Sequence, residues 1–596
     1  MNINNSLKSL LALTLVCGLV SCRTPSNSSS ATESNESISV HEHTFAEEWS
    51  KDETHHWYEA NCGHADQKVK TEHVFGNPVE STDNLVKTTT WTCGDCGYEK
   101  VETIASLLIN YKLPDGTLID SHVQDIKPGE TYSVVSPKVR FMAPSIATVE
   151  GTMDANGEVI DVTYDYSVEA METEVSPGRD MGKLYVDEKK GLSLSYVMKG
   201  SSGDWEQVFQ GNTFAIYNGC IRVRDANPAK VYAGDWYDGS NAVNGSAWNE
   251  LLTSSSEEIL VTWSFNANGS ITVYKNGKMV FLFSASTPAN GKWSASGQNY
   301  NLMVSNVTEH LFAEVAEKGL TLGAFVDNGS TPVTWTMRDL SVGYAMDVKE
   351  ASAYASQYKS IKGIYVDDTG LEVANPCVLV SKIGSEYSIP ATQIDGYTSL
   401  TETVAGTVTA DTSVVTLNYT RNGEEKISEA KVSDQIVAGW GWTDENRWAI
   451  ATETLQNGQT VTIDYRLEST SYTNSDAAKT NIVIAYDVAN HGNRSANRFD
   501  WWGWEDGDFC SDRTNGNMWC GSMAEYHEVQ KDCNVRLNAT FKDGTLTLTY
   551  IIVANSGVHA GKVYHMTTYA HGITAETIGI ALSPEHAKVT LTSVKY

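Results

Sequence analysis

Apolar and polar residues alternate in short runs along much of this chain, and turn dipeptides punctuate the runs. Leu260-Val-Thr-Trp-Ser-Phe265 is followed by Asn268-Gly269, Ile271-Thr-Val-Tyr274, Asn276-Gly277 and Met279-Val-Phe-Leu-Phe283. Val535-Arg-Leu-Asn-Ala-Thr-Phe541, Asp543-Gly544 and Leu546-Thr-Leu-Thr-Tyr550 repeat the arrangement. Period-two alternation bounded by Asn-Gly or Asp-Gly predicts strands joined by tight hairpins, because these dipeptides accept the positive φ that two-residue turns require. Gly, Thr, Ser, Val and Tyr are abundant and long helical patterns are rare, so the expected fold class is mostly β.

The pattern is duplicated. Tyr111 and Gly116 match Tyr365 and Gly370 at an offset of 254 residues, and Gly129, Tyr132, Gly151 and Tyr164 match Gly384, Tyr387, Gly406 and Tyr419 at 255. A shared offset across glycines and aromatics marks an internal repeat, with one residue inserted. The second copy reads Gly363-Ile-Tyr-Val-Asp-Asp-Thr-Gly370, Gly384-Ser-Glu-Tyr387, Ile394-Asp-Gly-Tyr397 and Val415-Thr-Leu-Asn-Tyr419. It resembles the mucin-binding-protein (MucBP) repeat of Gram-positive surface proteins. The first copy, with Tyr111-Lys-Leu-Pro-Asp-Gly116 and Val162-Thr-Tyr164, lacks the Asp-Gly-Tyr segment. The resemblance implies small β modules that often serve as spacers.

Each module precedes a longer β segment, and the endings of the two segments correspond. Leu320-Thr-Leu-Gly-Ala-Phe325 with Leu340-Ser-Val342 matches Ile578-Gly-Ile-Ala-Leu582 with Val589-Thr-Leu-Thr-Ser-Val594. Both segments resemble the concanavalin A-like (laminin G-like) jelly roll, which implies a sandwich whose final strand pairs back to the first. The expected order is a MucBP-like module at 105–170, a jelly roll at 178–347, a second module at 360–423 and a second jelly roll at 426–596.

Upstream, Leu10 to Val20 is apolar and ends at Leu19-Val-Ser-Cys22. The run has the length of a signal-peptide core and is too short to span a bilayer. It resembles the bacterial lipobox, which implies a signal peptide at 1–21, cleavage before Cys22 and lipidation of that cysteine. Residues 22–39 are rich in Ser, Thr, Asn and Glu and read as a flexible tether. The expected location is the extracytoplasmic face of a bacterial membrane, with the lipid as the only membrane contact. A net charge of −31 argues against nucleic acid as a partner.

Residues 40–104 differ from the remainder. Six of the chain's 14 histidines lie there, with Cys62, Cys93 and Cys96. His55-His-Trp-Tyr-Glu-Ala-Asn-Cys-Gly-His64, Glu72-His73 and Thr92-Cys93-Gly-Asp-Cys96-Gly-Tyr98 resemble the small Cys/His, zinc-ribbon-like repeats of bacterial surface proteins. A soft S/N donor set suits structural Zn²⁺. The expected ligands are His73, Cys93 and Cys96, completed by Cys62 or by another histidine. The competing expectation is a Cys93–Cys96 disulfide with solvated histidines.

The densest aromatic stretch is Asp500-Trp-Trp-Gly-Trp-Glu-Asp-Gly-Asp-Phe509, followed by Trp519. Trp501, Trp502, Trp504 and Trp519, with Glu505, Asp506 and Asp508, have the character of a sugar platform, with rings to stack on and carboxylates to accept from hydroxyls. The acids can also hold Ca²⁺. The competing expectation is that the rings fill a core. Cys510, Cys520 and Cys533 flank the stretch, and a Cys510–Cys520 bridge would leave Cys533 unpaired.

Together these features point to a lipid-anchored surface binding protein for an extracellular glycan or glycoprotein, not an enzyme. The alternatives are a structural stalk protein, or a glycoside hydrolase or polysaccharide lyase on the same sandwich. The E-x-D-x-x-E strand of laminarinase-type jelly rolls, H-E-x-x-H, G-x-S-x-G and a Walker loop are all missing from the sequence.

Overall fold

The alternating runs form strands, and the turn dipeptides close them. Asn276 and Gly277 have φ of 50° and 78°, and Asp543 and Gly544 have 48° and 73°. Positive φ at both positions is the requirement of a type I′ hairpin. The computed structural model describes residues 41–176, 178–200, 251, 256–284, 304–323, 336–426, 454–469, 523–584 and 587–596. It also describes the strand segments Gln207–Gln210, Phe214–Tyr217, Cys220–Val223, Lys230–Ala233, Asp235–Asp238, Asn241–Val243, Ile450–Ala451, Asn481–Asp487, Arg494–Arg498, Trp504–Glu505 and Cys510–Asp512. The fold is mostly β, as the alternation predicts. Among the described residues, no helix is long and apolar enough to cross a membrane.

The chain divides into two compact units. Among the described residues, one comprises those within 41–110, 121–133 and 150–160, the other those within 111–120, 134–149 and 161–596. In the first unit, Ser50–Lys51, His55–Glu59 and Gln67–Glu72 form a three-stranded antiparallel sheet. Val79–Asp83 pairs with Val86–Thr92, which pairs in turn with the start of Glu99–Lys112. That last strand runs unbroken through residues 104 and 105, where a module boundary is expected. The segment 41–104 has almost no core: among its residues only His56, Ala60 and Cys93 are buried.

In the second unit, two sheets enclose the first large core. The eight-stranded sheet contains Leu192–Lys199, Glu258–Phe265, Ile271–Lys275, Lys278–Phe283 and Thr336–Gly343. Its late strand Thr336–Gly343 pairs antiparallel with Leu192–Lys199. Trp263, Phe265, Tyr196 and Phe209 lie in the core, and helix Val304–Glu317 adds Leu311, Phe312 and Val315 to it. A second pair of six-stranded sheets encloses the other large core. The terminal strand Ala587–Lys595 pairs with Gln459–Ser469, which pairs with Asp532–Lys542.

Between these sandwiches lies the second repeat copy. Tyr358–Asp367 pairs antiparallel with Glu372–Lys382 and parallel with Val414–Arg421, while Glu386–Pro390 pairs with Thr403–Thr407. Its motif residues have structural roles. The Asp367 carboxylate accepts from the amides of Thr369 and Leu371 across the turn, and Gly370 supplies the positive φ of 82°. The Tyr365 and Tyr419 rings meet edge to face at 6.1 Å and 74°, and Tyr111 and Tyr164 of the first copy meet at 6.1 Å and 73°. The Tyr164 hydroxyl donates to the Pro137 carbonyl at 2.6 Å, and that of Tyr419 to Thr392 at 2.8 Å. The duplication read from the sequence is thus repeated in side-chain geometry.

Candidate metal centre

Strand alternation builds the centre. In His55–Glu59, successive side chains face opposite ways, so His56 points inward and His55 outward. Trp49 meets the His56 ring edge-on at 4.3 Å. His73 follows directly on strand Gln67–Glu72. Cys93-Gly-Asp-Cys96-Gly97 forms the turn between Val86–Thr92 and Glu99–Lys112. The Cys93 amide donates to the Tyr98 carbonyl at 2.8 Å, and the Gly97 amide donates to the Cys93 carbonyl at 3.0 Å. Gly97 adopts a φ of 65°, a conformation that costs glycine little.

His56, His73, Cys93 and Cys96 each present one donor atom, and these atoms lie within 4.8 Å of one another. His73 Nδ1 is 3.3 Å from Cys96 Sγ and 3.3 Å from His56 Nδ1, and Cys93 Sγ is 3.9 Å from His56 Nδ1. A tetrahedral zinc with Zn–S near 2.3 Å and Zn–N near 2.0–2.1 Å holds its ligand atoms roughly 3.3–3.8 Å apart. The donor set and spacing fit that ion. Each Nδ1 faces the centre while the opposite nitrogen is tied elsewhere. His73 Nε2 donates to the Asp52 carbonyl at 2.9 Å, and His56 Nε2 is 3.0 Å from Thr71 Oγ1. Such outer contacts orient metal-binding imidazoles and select the tautomer.

The electrostatics favour a thiolate. Burial pushes the Cys93 thiol up, but the amides of Cys96 and Asp95 and the His73 ring outweigh it and bring the thiol down to about 6. Burial leaves the Cys96 thiol raised. Burial also disfavours a charged His73, yet the Asp52 carbonyl and the Cys93 sulfur raise it overall.

Three of the four expected ligands, His73, Cys93 and Cys96, therefore come together, and both thiols are free rather than bridged. Cys62 is not among them. It sits in the exposed turn beyond the end of the 55–59 strand and groups with His41, His43 and His64, whereas the inward-facing His56 of that strand meets His73 and Cys93. His56 takes the fourth place. The signal that identifies it is the strand period, which separates it from its neighbour His55.

The other expected sites are placed only in part. Cys22, Trp501, Trp502, Asp506, Asp508, Trp519 and Cys520 lie outside the described residues. Trp504–Glu505 forms a short strand paired with Ala496 and Asn497 at a sheet edge. Cys510 opens a strand paired with His571. Cys533 is a buried free thiol in strand Asp532–Lys542, and burial pushes its pKa far up.

Comparison with known proteins gives partial matches. The chain is similar to Internalin J of Listeria monocytogenes serotype 4b, 26% identical over 222 residues, which is 33% of this chain and 21% of that protein. Internalin J of serovar 1/2a is 25% identical over 217 residues, 32% of this chain and 22% of the relative. The match thus spans about a fifth of those relatives' length. Among solved structures, the botulinum neurotoxin serotype D binding domain aligns at 11% identity over 72% of this chain and 90% of its own, with a TM-score of 0.20. The serotype D ligand binding domain in complex with N-acetylneuraminic acid aligns at 11% identity over 81% and 95%, with a TM-score of 0.17. Superposition at this level does not establish a shared fold. Residues 360–420 match the MucBP domain, the segment in which the Tyr365–Tyr419 pair and the Asp367 turn lie.

Proposed function

We propose that this chain is a bacterial cell-surface binding protein, lipid-anchored through Cys22, whose duplicated β modules and sandwiches engage an extracellular glycan or glycoprotein. The observation that carries the reading is the MucBP match at residues 360–420, within a module whose tyrosine geometry recurs in the first copy. The similarity to Internalin J over a third of the chain supports it. In this reading the modules space or present the sandwiches, and Trp501, Trp502, Trp504 and Trp519 form the sugar platform, with Glu505, Asp506 and Asp508 beside them and Ca²⁺ as an accessory ion of those acids.

The N-terminal module is held by Zn²⁺ at His56, His73, Cys93 and Cys96. With His56, Ala60 and Cys93 as its only buried residues, segment 41–104 lacks the apolar area to order itself, and a bound ion supplies that stabilisation. A glycan array probed with the purified mature chain tests the binding role. Retention on a chemically related subset of glycans is expected. Uniform absence of signal across mucin-type, host and bacterial glycans would turn the reading towards a structural surface protein.

A further inference from the structure

We infer that the N-terminal module carries a second, separate metal site, formed by His41, His43, Cys62 and His64 and suited to Zn²⁺. Local pairing assembles it. Phe45 and Ala60 form an antiparallel bridge, the Asn61 amide donates to the Thr44 carbonyl at 2.8 Å, and the Ala46 amide donates to that of Glu59 at 2.8 Å. His41 and His43 lie on the segment that leads into this pairing, and the turn that follows Ala60 brings Cys62 and His64 back against them. Gly63, between the two ligands of the second segment, takes a φ of 78° and turns the chain there.

The geometry is that of a ligand shell rather than a loose surface cluster. The four donor atoms lie within 4.8 Å of one another. Cys62 Sγ is 3.1 Å from His43 Nδ1 and 3.5 Å from His64 Nδ1, close to the nitrogen–sulfur spacing of a tetrahedral zinc. The three imidazoles meet pairwise at 5.0–5.2 Å and steep interplanar angles of 64–87°, so the rings converge on one point instead of stacking. The far nitrogen of His43, Nε2, lies 2.8 Å from the Asp66 carboxylate. A carboxylate behind a histidine whose other nitrogen faces the donors is the arrangement that fixes the tautomer of a metal-bound imidazole and raises its basicity. Three neutral imidazoles and one thiolate form a borderline-soft set that suits zinc.

Unlike the first centre, this one is largely exposed, with only His43 partly covered. Its ion would exchange more readily and would tie residues 41–45, where the tether enters, to the turn at 60–64. The site is independent of the His56 centre: the two share no residue, and Cys62 belongs here.

Zinc titration of the metal-free full mature chain against a chromophoric competitor tests the inference. Two equivalents are expected for the wild type. Cys62→Ser should lose one and keep the other, Cys96→Ser should do the reverse, and the double variant should bind none. The equivalent retained in each single variant shows that its module still folds. Asp66→Asn should weaken only the Cys62-dependent equivalent, by about 10–100-fold. Co²⁺ substitution adds a spectroscopic check, because each thiolate contributes its own charge-transfer absorption and Cys62→Ser should remove part of it. A single wild-type equivalent lost in Cys96→Ser, or two equivalents that survive Cys62→Ser, would overturn the second site. A single equivalent lost in Cys62→Ser but kept in Cys96→Ser would overturn the first centre and leave the second standing. Survival of both equivalents in the double variant would overturn both.

Discussion

At the scale of single residues, His56 and Arg536 carry the most testable consequences. His56 is 2% exposed and contributes both a donor atom and one of the few buried side chains of its module. His56→Ala should abolish zinc binding at the Cys93–Cys96 turn and open residues 41–98 to proteolysis, while His55→Ala should change neither. Limited proteolysis with and without added zinc reads both effects.

Arg536 sits in a buried charge network. Its guanidinium pairs with Asp367 and bonds Asp464 through Nε at 2.7 Å and Nη2 at 2.9 Å, while Arg421 Nη1 reaches Asp464 at 2.6 Å. Arg536→Met leaves two carboxylates without their shared partner. It should cost about 3–5 kcal/mol of stability, the usual penalty for breaking one side of a buried pair, measured by chemical denaturation. Burial pushes the Asp367 carboxyl up, but Thr369 and Arg536 outweigh it and hold it below its ordinary value. A lowered folded pKa means that the contribution is fully present above the ordinary carboxylate range and is lost as pH falls through the lowered value. The difference between wild type and Arg536→Met should therefore shrink in acid, which melting curves at neutral and low pH would show.

At the scale of elements, the repeat makes an asymmetric prediction. A Cβ at Gly151 would lie 2.4 Å from the Tyr132 hydroxyl, and one at Gly406 would lie 2.9 Å from that of Tyr387. Tyr132 is buried and its hydroxyl donates to Glu158 at 2.6 Å, so it cannot swing aside without losing that bond. Gly151→Ala should cost about 1–3 kcal/mol and more than Gly406→Ala, as parallel denaturation curves of the two variants would show. Much at this scale is legible in the sequence. Asn276-Gly277 and Asp543-Gly544 announce their hairpins because turn chemistry is local, and Tyr111, Tyr164, Tyr365 and Tyr419 announce the repeat because a fixed offset survives any fold. The ligand set is less legible. Which of His55, His56 and Cys62 meets Cys93 depends on strand pairing across more than thirty residues, and a one-residue slip exchanges the faces. Helix Val304–Glu317, with Leu311, Phe312 and Val315 in the first sandwich core, is another element whose place is set by packing rather than by local pattern.

At the scale of the molecule, the proposed zinc-binding segment 41–104 and two pairs of small module and sandwich follow the expected lipid attachment point. If both pairs engage one glycan polymer, the second contact is intramolecular and gains from effective concentration, so weak sites add up to firm attachment. A net charge of −31 leaves little electrostatic attraction to acidic surfaces, so in the proposed binding role recognition would rest on stacking and hydrogen bonding rather than on steering by charge. The central claim is that the chain binds a glycan or glycoprotein outside the cell. The most direct measurement is retention of the full mature chain on an immobilised mucin glycoprotein before and after enzymatic removal of its glycans. Saturable retention that falls at least tenfold on deglycosylation is the predicted result, whereas no retention, or retention unchanged by deglycosylation, would contradict the account.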